Sequence, residues 1–273
     1  AMIAIALPIT LQNLIASSVN MLDTLMITSL GQESLAAVGL ANQVFFFYGV
    51  TIFGVSTGSA IFISQFWGKK DKENIRKILG LSLTISTILG IIFTLAALFI
   101  PESIMKIFST DGEVISLGVD YLKIVSFSYI ITGISFSYAV ASRSIGSAKM
   151  PMVVSIISFG TNGLFNYLLI FGKFGFPQLG IKGAAYGTLI ARIVEIIAIL
   201  YAIYSDSNNP LAGKIKEMTD WNKSFVKRYF YTAYPVIVNE ALWSLGTVMY
   251  SIAYAKIGTE AAAAVQILRT VQN

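Results

Sequence analysis

ALPITLQNLIASSVNMLDTLMITSLGQESLAAVGLANQV, residues 6–44, returns in altered form as AYPVIVNEALWSLGTVMYSIAYAKIGTEAAAAVQILRTV, residues 233–271. At this offset of 227, Ala6, Pro8, Ser17, Gly31, Glu33, Ala36, Ala37, Val38 and Val44 recur as Ala233, Pro235, Ser244, Gly258, Glu260, Ala263, Ala264, Val265 and Val271. That is nine identities in 39 ungapped positions. Small and apolar residues match by composition alone, so the proline, glycine and glutamate at fixed spacing carry the case for a repeat. Both copies are apolar enough to enter a bilayer. Duplicated membrane-spanning halves are a device of secondary transporters, and the second copy here stops at the chain end. The expectation is a first half followed by the start of a second.

Composition agrees. The 273 residues are 55% hydrophobic and only 12% charged, with a mean hydropathy of +0.73. Soluble domains carry about 25% charged residues, so a water-facing surface could not be covered from this stock. There is no cysteine and no histidine. Disulfides, thiol chemistry, Cys/His zinc sites and His-assisted nucleophilic catalysis are therefore excluded, and no enzymatic chemistry is expected. The first apolar run is too long for a cleavable leader and has no basic flank. A start inside that run, without Met, suggests a trimmed natural N-terminus.

A window of about 20 residues gives seven spans. They cover 2–30, 35–66, 78–100, 115–142, 150–172, 181–204 and 229–256, with an eighth beginning near 260. Gly31, Pro101, Gly146 with Pro151, and Pro177 with Gly180 punctuate them. The stretch Asn208-Asn209-Pro210 opens the one long polar loop. The division expected is an all-α membrane protein: a six-helix lobe over 1–204, a loop over 205–228, and the truncated start of a second lobe over 229–273.

Alternate loops at 67–77, 143–149 and 205–228 hold twelve Lys and Arg residues; the opposite side holds Lys106, Lys123, Lys173, Lys182 and Lys256. This bias predicts a cytoplasmic N-terminus. It also explains the net charge of +5 and pI near 9.2 without nucleic acid, since the run GKKDKENIRK (68–77) reads as a cytoplasmic loop. Six spans separate the copies, so both enter from one side and the repeat is parallel.

Polar groups inside spans are costly and mark function. Asn13, Ser17, Asn20 and Thr24, spaced 4, 3 and 4 apart, form one stripe on a helix, with Asp23 at its edge. Ser158, Asn162 and Asn166 make a second stripe, and Thr188, Arg192 and Glu195 follow in the sixth span. Arg192 and Glu195, three apart, are expected to neutralise each other. Asn239-Glu240 follows Pro235 closely, and Glu240 is the repeat counterpart of Asn13, which predicts that both project into one cleft. Gly54 and Gly58 form a GxxxG that predicts close helix packing.

These segments closely resemble the multidrug and toxic compound extrusion (MATE) family of the wider flippase superfamily. The likeness is carried by ALPITLQNLIASSVNMLDTLMITSLG (6–31), SLAAVGLANQV (34–44), GKKDKENIRK (68–77), SRSIGSAKMP (142–151) and TNGLFNYLLIFGKFGFPQLGIKGAAYGTLIAR (161–192), with the repeat copy at 233–265. The resemblance implies a twelve-helix transporter of two six-helix lobes in a bacterial plasma membrane. It implies export of cationic or amphiphilic organic compounds in exchange for H⁺ or Na⁺, by alternating access, without a cofactor and as a monomer at full length. It maps an ion-coupling carboxylate onto Asp23, a helix-bending proline onto Pro8, and ion-site partners onto Asn162 and Thr188. The acid of the seventh helix falls on Glu240. Where some members have a second aspartate this chain has Asn166, which leaves the coupling ion open.

Elementary chemistry fits that expectation. A carboxylate taken out of water holds its proton more tightly, so Asp23 can exchange a proton for Na⁺ or a cationic substrate. Asn162, Asn166 and Thr188 offer the neutral oxygens that a hard cation prefers. Pro8, and Pro235 in the second copy, each remove a helix hydrogen bond and permit a bend. Two alternatives stand beside this one. A lipid-linked oligosaccharide flippase would line its cleft with Arg and Lys, and a seven-span receptor would end where the severed repeat shows continuation.

Overall fold

The coordinates are a computed structural model. It describes the backbone of residues 2–257, and the side chains between residues 10 and 243 except those of 16, 19, 20 and 241. The expected eighth segment near residue 260 lies outside the described residues, as do the side chains of Pro8 and Asn20. Among the described residues every regular element is helical: α1 (Met2–Thr28), α2 (Gln32–Gly68), α3 (Lys72–Phe99), α4 (Pro101–Phe108), α5 (Gly112–Val125), α6 (Phe127–Ser144), α7 (Lys149–Phe171), α8 (Ile181–Tyr204), α9 (Ile215–Met218) and α10 (Lys223–Ile257).

Local chemistry fixes the ends of these helices. Gly31 joins α1 to α2 at φ 110°, a conformation that side chains disfavour. Asp71 caps α3 by accepting the Asn74 amide at 3.1 Å, and accepts Asn74 Nδ2 at 2.6 Å. These bonds hold its carboxyl below the usual carboxylate range. Asp111 caps α5 through the amides of Glu113 and Val114. Pro101 occupies the first turn of α4, where its missing N–H costs nothing.

Among the described residues, α2, α3, α7 and α8 are each long and apolar enough to cross a bilayer, and α5 with α6 makes a fifth span bent by 50°. α1 and α10, at 27 and 35 residues, extend roughly 40 and 52 Å at 1.5 Å per residue. Both exceed the hydrocarbon thickness of about 30 Å.

The bend divides the fourth span, expected as one run over 115–142, into two helices. The sequence there, Ser126-Phe127-Ser128, has neither Pro nor Gly, but both hydroxyls bond back to the chain. Ser126 Oγ donates to the Lys123 carbonyl at 3.1 Å and Ser128 Oγ to that of Val125 at 2.6 Å. Carbonyls near the break are taken up by neighbours. Thr94 of α3 donates to the Ser126 carbonyl at 2.8 Å, and Tyr48 of α2 donates to that of Tyr129 at 2.6 Å.

Small residues set the closest helix contacts. On α8, Gly183 and Gly187 lie against the Leu169–Ile170 backbone and Asn166 of α7. On α2, the predicted GxxxG receives α10: a Cβ at Gly58 would stand 2.8 Å from that of Ala233, and one at Gly54 3.1 Å from Ile237 Cα. The start of α10 is thus seated against α2 rather than standing away from it. Tyr229 is 1% exposed, shares a 2.8 Å hydrogen bond with Ser59 and donates to the Val55 carbonyl at 3.2 Å. The grooves opened by Gly54 and Gly58 admit α10 on one flank of the bundle. α10 also begins at Lys223, so the last residues of the expected loop are helical.

The rest of that loop is docked on α3. Arg76 pairs with Glu217 at 3.2 Å and Lys77 with Asp220 at 3.0 Å, while Leu211 and Met218 are buried. Gly80 has no side chain where the Met218 carbonyl passes.

Candidate ion and substrate site

Two helices bring the site together because their polar residues repeat at one turn's spacing. Asn162 and Asn166, four apart on α7, present their amides on one face, and α1 runs alongside that face with Asp23 toward them. Asn166 Nδ2 donates to Asp23 Oδ1 at 2.8 Å. The Asn162 amide satisfies both its polar atoms when its nitrogen faces Asp23, at 2.8 and 3.1 Å from the two carboxylate oxygens. Its oxygen then lies 3.4 Å from the Thr188 hydroxyl on α8. Asp23 is half-buried, whereas both asparagines are buried, and Asn166 Oδ1 has no protein partner. Of the residues predicted for ion coupling, Asp23, Asn162, Asn166 and Thr188 thus form one cluster.

This cluster sits in the wall of a cavity of about 1010 Å³. Glu240 of α10 lines the same cavity, with Asn239 and Trp243 beside it. Asn13 does not line it and is exposed. Asn13 shares a helix face with Thr24, which does line the cavity, but eleven residues separate them. At 1.5 Å per residue that is about 16 Å, so the expected stripe is interrupted along its length. Its neighbour Gln12 instead ties α1 down, donating to Ser155 of α7 at 2.6 Å and accepting from Arg143 of α6 at 3.4 Å. Pro235 lies inside the continuous α10 and is exposed.

Arg192 also reaches the cavity, paired with Glu195 at 2.6 Å as their spacing predicts. Glu195 further accepts from Ser158 at 3.0 Å. The cation is thereby neutralised, and the remaining charges in the wall, among the described residues, are the carboxylates of Asp23 and Glu240. Apolar faces come from Phe46 and Phe53 of α2 and from Trp243.

Sequence reasoning passed over Asn42, Tyr121 and Trp243, which line the cavity too. Asn42 is an amide inside a span, the signal used for Asn162. Trp243 is one helical turn beyond Glu240, so the same spacing pointed to it. Tyr121 carried no signal among 13 tyrosines.

The cavity has room for a small organic molecule between acids and aromatic faces. Comparison with known proteins bears on this arrangement. The MatE family model matches residues 8–168. The probable multidrug resistance protein NorM of Thermotoga maritima is 27% identical over the whole chain, which covers 58% of that protein. The multidrug export protein MepA of Staphylococcus aureus is 27% identical, with all of this chain matched to 59% of it. The chain thus spans a little over half the length of these curated relatives. Among solved structures, a MOP superfamily transporter of Pyrococcus furiosus, described by the reversed polarity of its binding pocket, superposes with a TM-score of 0.87 at 21% identity. This chain is covered to 99% and that one to 59%. An outward-facing multidrug resistance MATE transporter gives 0.86 at 22% identity, covering 98% of this chain and 58% of that one. The family match and the all-helical architecture agree: this chain belongs to the MatE family, the multidrug and toxic compound extrusion transporters.

Proposed function

We propose that the full-length protein is an antiporter that exports cationic or amphiphilic organic compounds in exchange for H⁺ or Na⁺, by alternating access. The observation that carries this reading is the Asp23 carboxylate held by two amides in the wall of a cavity whose second acid, Glu240, comes from the other repeat copy. A single carboxylate with one strong neutral partner on each oxygen accepts or releases one positive charge at a time. A proton docks on Asp23 directly. Sodium requires amide oxygens, which Asn162 and Asn166 supply by rotating their amides, with Thr188 Oγ1 adjacent. No cofactor is needed for either exchange, and the protein works as a transporter, not an enzyme.

The negative wall favours organic cations over the anionic headgroup that an oligosaccharide flippase moves, because the one guanidinium there among the described residues is paired with Glu195. The basic loops support a plasma-membrane orientation with the N-terminus in the cytoplasm, and a bilayer, not nucleic acid, as their counterpart. The working unit is a monomer of two lobes. Efflux of a fluorescent organic cation from vesicles holding the full-length protein, with proton and sodium gradients imposed separately, tests the proposal. Export driven by one gradient supports it and identifies the ion. Export indifferent to both gradients overturns it.

A further inference from the structure

A second, smaller hollow lies on the outer surface, between the start of α7 and the end of α8. It measures about 400 Å³ and is lined by Lys149, Met150, Val153 and Ile157 of α7 and by Ala198, Tyr201 and Ala202 of α8. The α7 residues fall at successive turns of one face, so the hollow is a groove along the helix. From Lys149 to Ile157 it runs roughly 12 Å at 1.5 Å per residue, most of the half-thickness of about 15 Å of a hydrocarbon layer. Ala198 and Ala202, four apart, leave the floor open, and the exposed Tyr201 and Val153 form its rims.

Its chemistry is divided by depth. Beyond the first turn every lining residue is apolar except for the tyrosine, and the one charged residue that lines it, Lys149, stands at the end where α7 begins. Lys149 is exposed and takes part in no ion pair among the described residues, unlike Arg76 and Lys77 at the same end of the bundle. That end is the strongly basic one: its three loops hold twelve Lys and Arg residues against five Asp and Glu. We propose that this groove is a site for one anionic phospholipid of the leaflet facing the basic loops, with an acyl chain in the groove and the headgroup phosphate on Lys149. A basic residue at the mouth of an apolar cleft between spanning helices selects charge at the headgroup, while the groove supplies contact that any chain would share. Tyr201 at the rim places its hydroxyl near the headgroup level, where aromatic side chains gather.

The test uses the full-length protein in detergent, with native mass spectrometry counting retained lipid. Phosphatidylglycerol and phosphatidylcholine with identical acyl chains are offered in turn, and glycerol phosphate serves as the free headgroup. Phosphatidylglycerol should be retained about fivefold better than phosphatidylcholine, and glycerol phosphate should not be retained. Lys149→Gln should bring the two lipids to parity, with Lys149→Arg restoring the preference. Ala202→Leu, which fills the floor, should lower retention of both without changing their ratio. Thermal melting of each variant separates lost binding from lost folding, and Lys149→Gln alters only an exposed side chain. Equal retention of the two lipids by the unaltered protein overturns the proposal, as does a preference that survives Lys149→Gln. Retention of glycerol phosphate in place of lipid also overturns it.

Discussion

α1 and α10 begin from one sequence pattern and are held in different ways. α1 lies against α7, tied by Gln12 to Ser155 and by Asp23 to Asn166 and Asn162. α10 lies against α2, seated on Gly54 and Gly58 and pinned where Tyr229 meets Ser59. Their acids also fall at different registers. Asp23 follows Pro8 by fifteen residues and Glu240 follows Pro235 by five, yet both line one cavity. A repeat therefore conserves how a helix is built, while the helix it packs on decides which of its polar residues reach the centre. Asn13 and Glu240 are equivalent in the pattern and unequal in place.

The largest effect that would sharpen this contrast is expected at Asp23. Asp23→Asn keeps the volume and removes the charge that both asparagines address. Gradient-driven efflux from the full-length protein should fall to the level of protein-free vesicles while membrane insertion is unchanged. Retained efflux under both gradients would erase the functional difference between the two helices. Next comes the pair Glu240→Gln and Asn13→Ala. Losing the α10 acid should reduce cation efflux roughly fivefold, the worth of about 1 kcal/mol of attraction in a wet cleft. Asn13→Ala should leave efflux as it was, and equal losses from the two would restore the equivalence that the repeat suggests.

The packing side of the contrast is tested by stability. Gly58→Leu drives a side chain into Ala233 and should cost about 1–3 kcal/mol, read as a lower melting temperature in detergent. An unchanged melting temperature would mean that α10 sits on α2 more loosely than the geometry indicates. Tyr229→Phe is the smallest change. It removes one buried hydroxyl and leaves Ser59 to its bond with Val55, for a loss of about 1 kcal/mol. A Ser59→Ala, Tyr229→Phe double variant should then cost little more than either alone.

Much of this was legible in the sequence because lipid punishes polar groups so heavily. Asn162 and Asn166 stood out by their spacing inside a span, and the search for a face to receive them leads to Asp23. The GxxxG at Gly54 announced a close neighbour but not its identity, since any helix can enter a groove. That the neighbour is α10 depends on contacts across about 175 residues, which no local pattern encodes. The break at Ser126 was hidden for another reason. Serine is tolerated in straight spans, and the bend is completed by Thr94 and Tyr48 from elsewhere in the chain. Asn13 was placed at the cavity by face alone; depth along α1 decided against it.

The broken fourth span has a mechanical consequence. A straight helix resists bending because each degree strains its own ladder of main-chain bonds. Between α5 and α6 two of the neighbouring carbonyls also accept hydroxyls belonging to other helices, Thr94 on α3 and Tyr48 on α2, and the Ser126 carbonyl keeps a main-chain bond from Tyr129 as well. A hydroxyl can swivel about its side-chain torsions and keep its bond as the carbonyl moves. The fourth span thus changes direction at one height, where α2 and α3 both hold it. The place of the bend is therefore held from the side, by two neighbouring helices, as well as along the chain.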